Sequence, residues 1–595
     1  MKKLVCLLFL VLSVSLTAQE TMEHELENVV VTAGRVPSEF SEISRNVVIL
    51  DPVKIGNAPV NSIQDLLQFI PGVDVRQRGT EGIQSDVSIR GGSFEQVLVL
   101  IDGIKITDPQ TGHHNMNLPV TLEDIDRIEV LKGQGSKIYG ANAVSGVINI
   151  ITKSQRSNSV SVGLDGGQNA YYKSFLSAAY NYDFISARVS ASKNKSDGFQ
   201  PNTDFDVENF SAGITLNTKI GTINSMFGYN DKKFGASGFY SGNNEWEHTT
   251  TKFFNVKGTF GSSKFIVTPK FYIRKNNDDY IWNRQHPELY RNNHTSKTYG
   301  FELQGSYYSD YGVTSIGGEF TSDSLNSNRL GLHERQNKGF FLEHQFKIGE
   351  KLSINTGAFA YDYDKIGWKV WPGIDFAYKI NENYKLYSSI GKAFRVPSYT
   401  ELYYLGNDSK GNSDLRHEET TNYELGLVFS NSKISSSISL FRKEGKNNID
   451  WVAEETFWIA SNFAEVNTNG VEADITLNDI LPNTNINLGY VYLDSDKSTN
   501  GKLSRDYLEH LKHQAVLTFI NNSFYDISQS WSFRYEKRAN FNELFLVDVK
   551  FSRQISDFKV YISASNLLDR KYKKHLFAEL PGRWIKTGIK YNFEF

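Results

Sequence analysis

From about residue 158 to the C-terminus, the chain is a long succession of segments that alternate in polarity, with polar loops between them. In "FISARVSASK", Ile185, Ala187, Val189 and Ala191 fall on one face and Ser186, Arg188, Ser190 and Ser192 on the other. Successive side chains of a strand point to opposite sides, so such a segment builds a sheet with one wet and one apolar face. The buried face of a soluble sandwich is usually bulkier than these small groups. A Ser/Arg face opposite small apolar residues fits a water-filled lumen on one side and lipid on the other. The last segment, "RWIKTGIKYNFEF", repeats the pattern. Ile585, Ile589, Tyr591, Phe593 and Phe595 share one parity, and Lys586, Lys590, Asn592 and Glu594 the other. Average hydropathy hides this architecture. The hydrophobic fraction is only 39%, and no run after the first twenty residues approaches the roughly 18 apolar residues of a membrane helix.

The start of the chain sets the compartment. "MKKLVCLLFLVLSVSLTAQE" places two lysines before an apolar run and then small and polar residues, the layout of a secretory signal peptide, with cleavage expected after Ala18. The single cysteine, Cys6, would leave with residues 1–18, so disulfides and thiolate metal sites are not expected. A net charge of −3 gives no sign of nucleic-acid binding.

Residues 156–595, at roughly 20 per strand with its share of loop, make a barrel of about 22 strands. Barrels of that size enclose a lumen large enough to be plugged. The expected fold is an all-β transmembrane barrel of about 22 antiparallel strands with an N-terminal α+β plug domain inside the lumen. Residues 37–155 have the character of such a plug. "NSIQDLLQFIPGVDV" predicts a short amphipathic helix ending at Pro71-Gly72, and "VSIRGG", "QVLVLIDGIKITD" and "DIDRIEVLKGQGSKIYGANAVSGVINIITK" predict strands broken by glycine turns. The glycines of "GQGSKIYGANAVSGVI" lack phosphate-loop spacing, so a nucleotide site is not expected.

The ordered run "IPGVDV … VSIRGG … VLVLIDGIKI … IDRIEVLKGQGSKIYGANAVSGVINIITK" resembles the plug of TonB-dependent outer-membrane receptors. "GKAFRVPSYTELYY", "NTNGVEADITLN" and "SNLLDRKY" resemble the barrel of the same family. The overall layout is most similar to the family's vitamin B12 (cobalamin) receptors. The resemblance implies a multi-pass protein of the Gram-negative outer membrane, surrounded by lipid and inserted by the barrel-assembly machinery through its C-terminal strand. It also implies a periplasmic tether, residues 19–36, carrying a TonB box. "ENVVVTA", Glu27, Asn28, Val29, Val30, Val31, Thr32 and Ala33, has the strand propensity that such a box needs. It would pair with TonB as an added strand, main-chain hydrogen bonds supplying much of the affinity. The competing reading is that Val29–Val31 start a plug strand.

Candidate ligand contacts follow from residue type. His113 and His114 of "DPQTGHHNMN" follow a plug strand in a turn-rich loop that can face the mouth, and imidazoles bind metals and accept hydrogen bonds. Tyr240, Trp246, Tyr280 and Trp282 lie in polar, aromatic segments and could form a platform for a ring-rich ligand or belong to the interfacial girdle. Asp204 and Asp206, two apart in "SDGFQPNTDFDVENF", are candidates for a structural calcium, as the resemblance to cobalamin receptors implies; a solvated acidic loop is the plainer reading. No cofactor is required. Arg90 and Arg127 are expected to make plug–barrel ion pairs rather than ligand contacts. The expected function is active import of a scarce ligand, cobalamin first, with a ferric siderophore or haem as the alternative. A passive porin or an adhesin is the alternative from another class, and no catalytic constellation suggests an enzyme.

Overall fold

The computed structural model describes residues 30–31, 34–36, 38–39 and 43–595, apart from 155–156, 241–243, 365, 407, 455–456, 463–464, 498–502, 506–509 and 576. Twenty-two antiparallel strands close on themselves: the first, Ser159–Gly167, pairs both with the second, Tyr171–Tyr182, and with the last, Trp584–Glu594. Connections on one face are turns of two to five residues, such as 183–184 and 219–220. Those on the other include 197–204, 236–245, 282–290, 396–417 and 566–583. In outer-membrane barrels the short turns face the periplasm and the long loops the exterior, which orients the molecule.

The alternation seen in the sequence is the alternation of the wall. Ser186, Arg188 and Ser190 are buried against the plug, whereas Val189 points outward. At the closing strand Ile585, Ile589 and Phe593 are exposed and Lys586 is buried. Leu176, Ile214, Phe301, Leu342 and Ile562 extend this exposed apolar belt. In a soluble chain so much exposed apolar surface would be a liability, but here it is the contact with lipid.

The plug is built on a five-stranded mixed sheet in the order Val47–Leu50, Ile125–Lys132, Gly146–Thr152, Val97–Ile101, Ile104–Lys105. Its parallel neighbours Val97–Ile101 and Gly146–Thr152 read as near-continuous apolar runs because both faces are covered. The expected helix is present as Ile63–Leu66, capped by Ser62 and continued by a 3₁₀ turn over Leu67–Phe69. Pro71 and Gly72, the latter at φ +78°, end it. Leu66, Leu67, Ile70, Val73 and Ile89 fill the core, each contributing about 1.5–3 kcal/mol of apolar burial.

The seam between plug and wall adds ion pairs to the apolar contacts that Met226, Phe253 and Val516 make with the plug core. Arg90 donates to Glu472 at 3.0 Å and to Glu424 at 2.9 Å, and its guanidinium lies 4.2 Å from the centre of the Phe441 ring. Lys137 meets Asp375 at 2.5 Å, Arg538 bonds Asp74 at 2.7 Å and Lys105 reaches Glu319 at 2.6 Å. Arg127 departs from expectation. It bonds Asp126 and Glu129, both within the plug, because Glu129 lies two residues along the same strand.

Candidate functional site

The two ends of the lumen carry different chemistry. At the tight-turn end, Val30–Val31 pairs with Ser38–Glu39 in a two-residue ladder, Val30 opposite Glu39 and Val31 opposite Ser38, and not with the plug sheet. Glu27, Asn28, Val29, Thr32 and Ala33 lie outside the described residues. Directly after this stretch, Arg35 is buried in the lumen. It meets Glu302 at 2.5 Å, donates to the carbonyl of Ile138 at 2.6 Å and stacks 3.7 Å from the Phe341 ring centre. Its own carbonyl accepts from Gln304 at 2.9 Å. The segment that would meet TonB is thus fastened, at its inner end, to both plug and wall.

At the long-loop end, the plug loop 108–117 reaches the mouth. The loop knits itself together: Asp108 accepts from the Gln110 N–H at 2.8 Å, and Asn115 from the Asp108 N–H at 2.9 Å. The wall then grips it. The Tyr399 and Thr400 N–H groups donate to the carbonyls of Pro109 and Gln110 at 2.9 and 3.0 Å. Both belong to the short helix Tyr399–Tyr403, which starts in a Ser398/Glu401 capping box. Arg395 donates to both carboxylate oxygens of Glu401 and to Glu418. The sequence motif "GKAFRVPSYTELYY" is therefore a clamp on the apex of the plug.

The two histidines differ. His113 is one-fifth exposed, stacks on Phe94 with ring centres 4.6 Å apart, and places Nδ1 2.6 Å from Asp86. Burial alone would raise the Asp86 carboxyl, but His113 and Arg78 outweigh it and hold the group well below the usual carboxylate range. His114 points the other way and is buried, with Nε2 3.2 Å from Asp278. Burial would lower its imidazolium pKa, yet the Asp278 carboxylate pushes it up to about 9.

The structure brings together half of the expected aromatic platform. The rings of Tyr240 and Tyr280 meet edge-on at 5.3 Å, and His113 lies 6.3 Å from Tyr240. The Tyr240 hydroxyl bonds Gln84 at 2.8 Å and Glu247 at 3.2 Å, and that of Tyr280 bonds Glu245 at 2.8 Å. Trp246 has the opposite parity to buried Glu247, Thr249 and Thr251, so it faces away from the lumen, 6.1 Å from His248. It fits the girdle reading. Trp282 lies just past the end of strand Phe265–Ile281, and no ring contact joins it to the tyrosines among the described residues.

Asp204 and Asp206 have different neighbours. Asp204 accepts two bonds from Arg284, at 2.7 and 3.0 Å, and Asp206 lies 3.4 Å from Lys193 on the outward face of its strand. Each carboxylate already has a cationic side chain beside it. Sequence reasoning missed Phe94, Asp86, Glu247 and Asp278. The lumen parity of Arg274, Asn276, Asp278 and Tyr280 was a readable signal for the last, but only the fold shows which plug loop they face.

Two family models match the chain: TonB dependent receptor-like, beta-barrel, over residues 144–567, and TonB-dependent Receptor Plug Domain, over residues 40–147. Among curated proteins, the vitamin B12 transporter BtuB of Vibrio vulnificus strain CMCP6 is 24% identical over 97% of either chain. Among solved structures, the siderophore receptor PirA of Acinetobacter baumannii superposes with a TM-score of 0.79 at 17% identity, covering 93% of this chain and 99% of its own. The ferric enterobactin receptor PfeA of Pseudomonas aeruginosa gives 0.78 at 15% identity, covering 93% and 100%. Both structural likenesses speak to the fold. Members of the family are transporters and receptors rather than enzymes. With a closed 22-strand wall, a plug inside it and both family models in sequence order, the chain belongs to the TonB-dependent receptors, β-barrel transporters of the Gram-negative outer membrane.

Proposed function

We propose that this transporter imports cobalamin, captured where the plug loop 108–117 meets the wall and released inward when TonB pulls on residues 27–33. The observation that carries the ligand is the likeness to a vitamin B12 transporter along nearly the whole chain. Tyr240, Tyr280 and the partly exposed His113 support it, since they offer aromatic area with polar edges to a large ring-bearing molecule. The coupling to TonB rests on Arg35. A pull on the preceding residues loads a side chain that touches both Ile138 of the plug and Glu302 of the barrel. For TonB to gain an added strand, the Val30–Val31 ladder with Ser38–Glu39 must be exchanged for an intermolecular one. The outward Phe593 and Phe595 support handling of the last strand by the barrel-assembly machinery.

A second reading, haem or a ferric siderophore, is favoured by His113, an imidazole at the mouth. Titration of the detergent-solubilised protein with cyanocobalamin, haem and a ferric siderophore panel separates the two. Saturable cobalamin binding weakened by Tyr240→Ala supports the first. Haem binding lost with His113→Ala, and no cobalamin binding, overturns it.

A further inference from the structure

One cluster at the seam between plug and wall has no part in this reading. His114 comes from the apex of the plug, Glu247 from strand Trp246–Gly261 and Asp278 from strand Phe265–Ile281. All three are more than nine-tenths buried, and one donor atom from each lies within 4.8 Å of the others. The placement follows from register. Asp278 sits opposite Thr249, so Glu247, two residues on, is its diagonal neighbour on the lumen face. Tyr240 holds one oxygen of Glu247 and Gln110 one of Asp278. The other oxygens, Glu247 Oε1 and Asp278 Oδ1, are buried with no hydrogen-bond donor among the described residues. Two buried carboxyl groups, each with an oxygen that lacks a donor, leave lone pairs free to take a cation.

The His114 imidazolium already sits beside Asp278, and a bound metal ion would take the place of its proton; the arginine and lysine nearby are engaged elsewhere. Arg274 bonds Asp108 and the carbonyl of His114. Lys232 donates to the carbonyls of Gly82 and Ile83 and to Asn117. His114 is already oriented, with Nδ1 3.3 Å from Asn117 and Nε2 3.2 Å from Asp278. Donors on a tetrahedral centre with bonds near 2.1 Å stand about 3.4 Å apart, so small rotations close the set. A further imidazole lies next to the cluster in register. His294 sits opposite Asp278 across the strand pair, is buried, and has its Nδ1 held by Ser327 at 2.7 Å, which leaves Nε2 as its free ring nitrogen.

The geometry points to a binding site for a divalent transition-metal cation, held by His114, Glu247 and Asp278 with His294 beside them. Imidazole with carboxylate suits zinc, cobalt or manganese rather than calcium, which takes oxygen ligands. Because one ligand belongs to the plug and two to the barrel, the ion would tie the apex of the plug to the wall. This site is independent of which ligand the mouth takes.

The test uses the full-length protein in detergent, stripped with EDTA and titrated with Co²⁺, reading the visible d–d absorption, with Zn²⁺ as competitor. One Co²⁺ per chain is expected, displaced by Zn²⁺. Affinity should fall by at least about 100-fold in His114→Ala and in Glu247→Gln, and remain unchanged in His286→Ala, whose ring is exposed in a surface loop. Glu247→Gln keeps the side chain's shape, so a loss there is not a loss of fold. Absence of Co²⁺ and Zn²⁺ binding by the wild type overturns the proposal without recourse to any variant. Equal affinity in wild type, His114→Ala and Glu247→Gln overturns it as well.

Discussion

Replacing Arg90 by leucine should unfasten the plug from the wall. The Arg90 side chain is 5% exposed and its partners Glu424 and Glu472 are 4% and 1% exposed, so neither carboxylate can turn to water when the guanidinium goes. Glu472 keeps Lys132, and Glu424 keeps only a 3.3 Å contact with the Tyr387 hydroxyl among its hydrogen bonds in the described residues. Removing one partner of a buried pair costs about 3–5 kcal/mol. The lost stacking on Phe441 adds about 0.5–2 kcal/mol. The positive φ of residue 90, +49°, strains leucine and arginine alike and cancels in the comparison. A loss of about 4 kcal/mol multiplies the population of the open plug by about a thousand. At a urea dependence of about 2 kcal/mol/M it moves the midpoint of plug opening by about 2 M. The assay is thiol labelling of Ser88→Cys, a position 2% exposed, in a chain whose only native cysteine is Cys6. Lys54→Ala is the control. Its pair with Asp51 is 42% and 40% exposed, worth below about 0.5 kcal/mol. Adding Glu424→Gln to Arg90→Leu should recover part of the loss, because it removes one stranded charge. If Arg90→Leu moved the midpoint no further than Lys54→Ala, the argument that buried ion pairs hold the plug would be refuted.

Arg35→Ala should speed labelling of a cysteine placed in the tether while leaving ligand affinity unchanged, since it frees the inner end of the TonB-facing segment far from the mouth; unchanged labelling would remove Arg35 from the coupling route. Tyr240→Ala, which cuts the contacts to Tyr280, Gln84 and Glu247, should weaken ligand binding by about 10-fold or more, at about 1.5 kcal/mol for a buried ring contact, as read by equilibrium titration. Calcium should leave the midpoint of ligand titration where it is, because Arg284 and Lys193 already sit on Asp204 and Asp206; a calcium-strengthened midpoint would show that the ion displaces them. Burial and the facing Glu401 push Glu95 up to about 8, well above its unfolded value near 4.3. A raised acid contributes fully below its unfolded pKa and loses that contribution as pH rises to the folded one, so the urea midpoint of plug opening should fall between about pH 5 and pH 8 and level off above, and Glu95→Gln should flatten that fall.

Much of this molecule was legible before any coordinates. Period-two alternation in "FISARVSASK" and "RWIKTGIKYNFEF" fixes which residues face lipid, because a strand offers its side chains only two directions. Chain length divided by membrane-strand length fixes the size of the barrel, and the barrel's size calls for something to fill it. The helix at Ile63, the strand at Val97 and the loop at Pro109 follow from local patterns of apolar period, proline and glycine. All of these are properties of neighbours in sequence. What the tertiary structure decided is which side chains, hundreds of residues apart, share the lumen. His113 and His114 are adjacent and chemically identical, yet one meets Asp86 of the plug and the other Asp278 of the wall. Trp246 and Tyr280 read alike as aromatic platform, and strand parity sends one outward and the other inward. Asp204 and Asp206 look like one acidic pair until Arg284, 80 residues away, takes the first. The sequence determined the wall, the plug and their polarity, because these depend on local periodicity. The site was decided by register and by the seating of the plug, where one residue's shift turns a side chain to the other face.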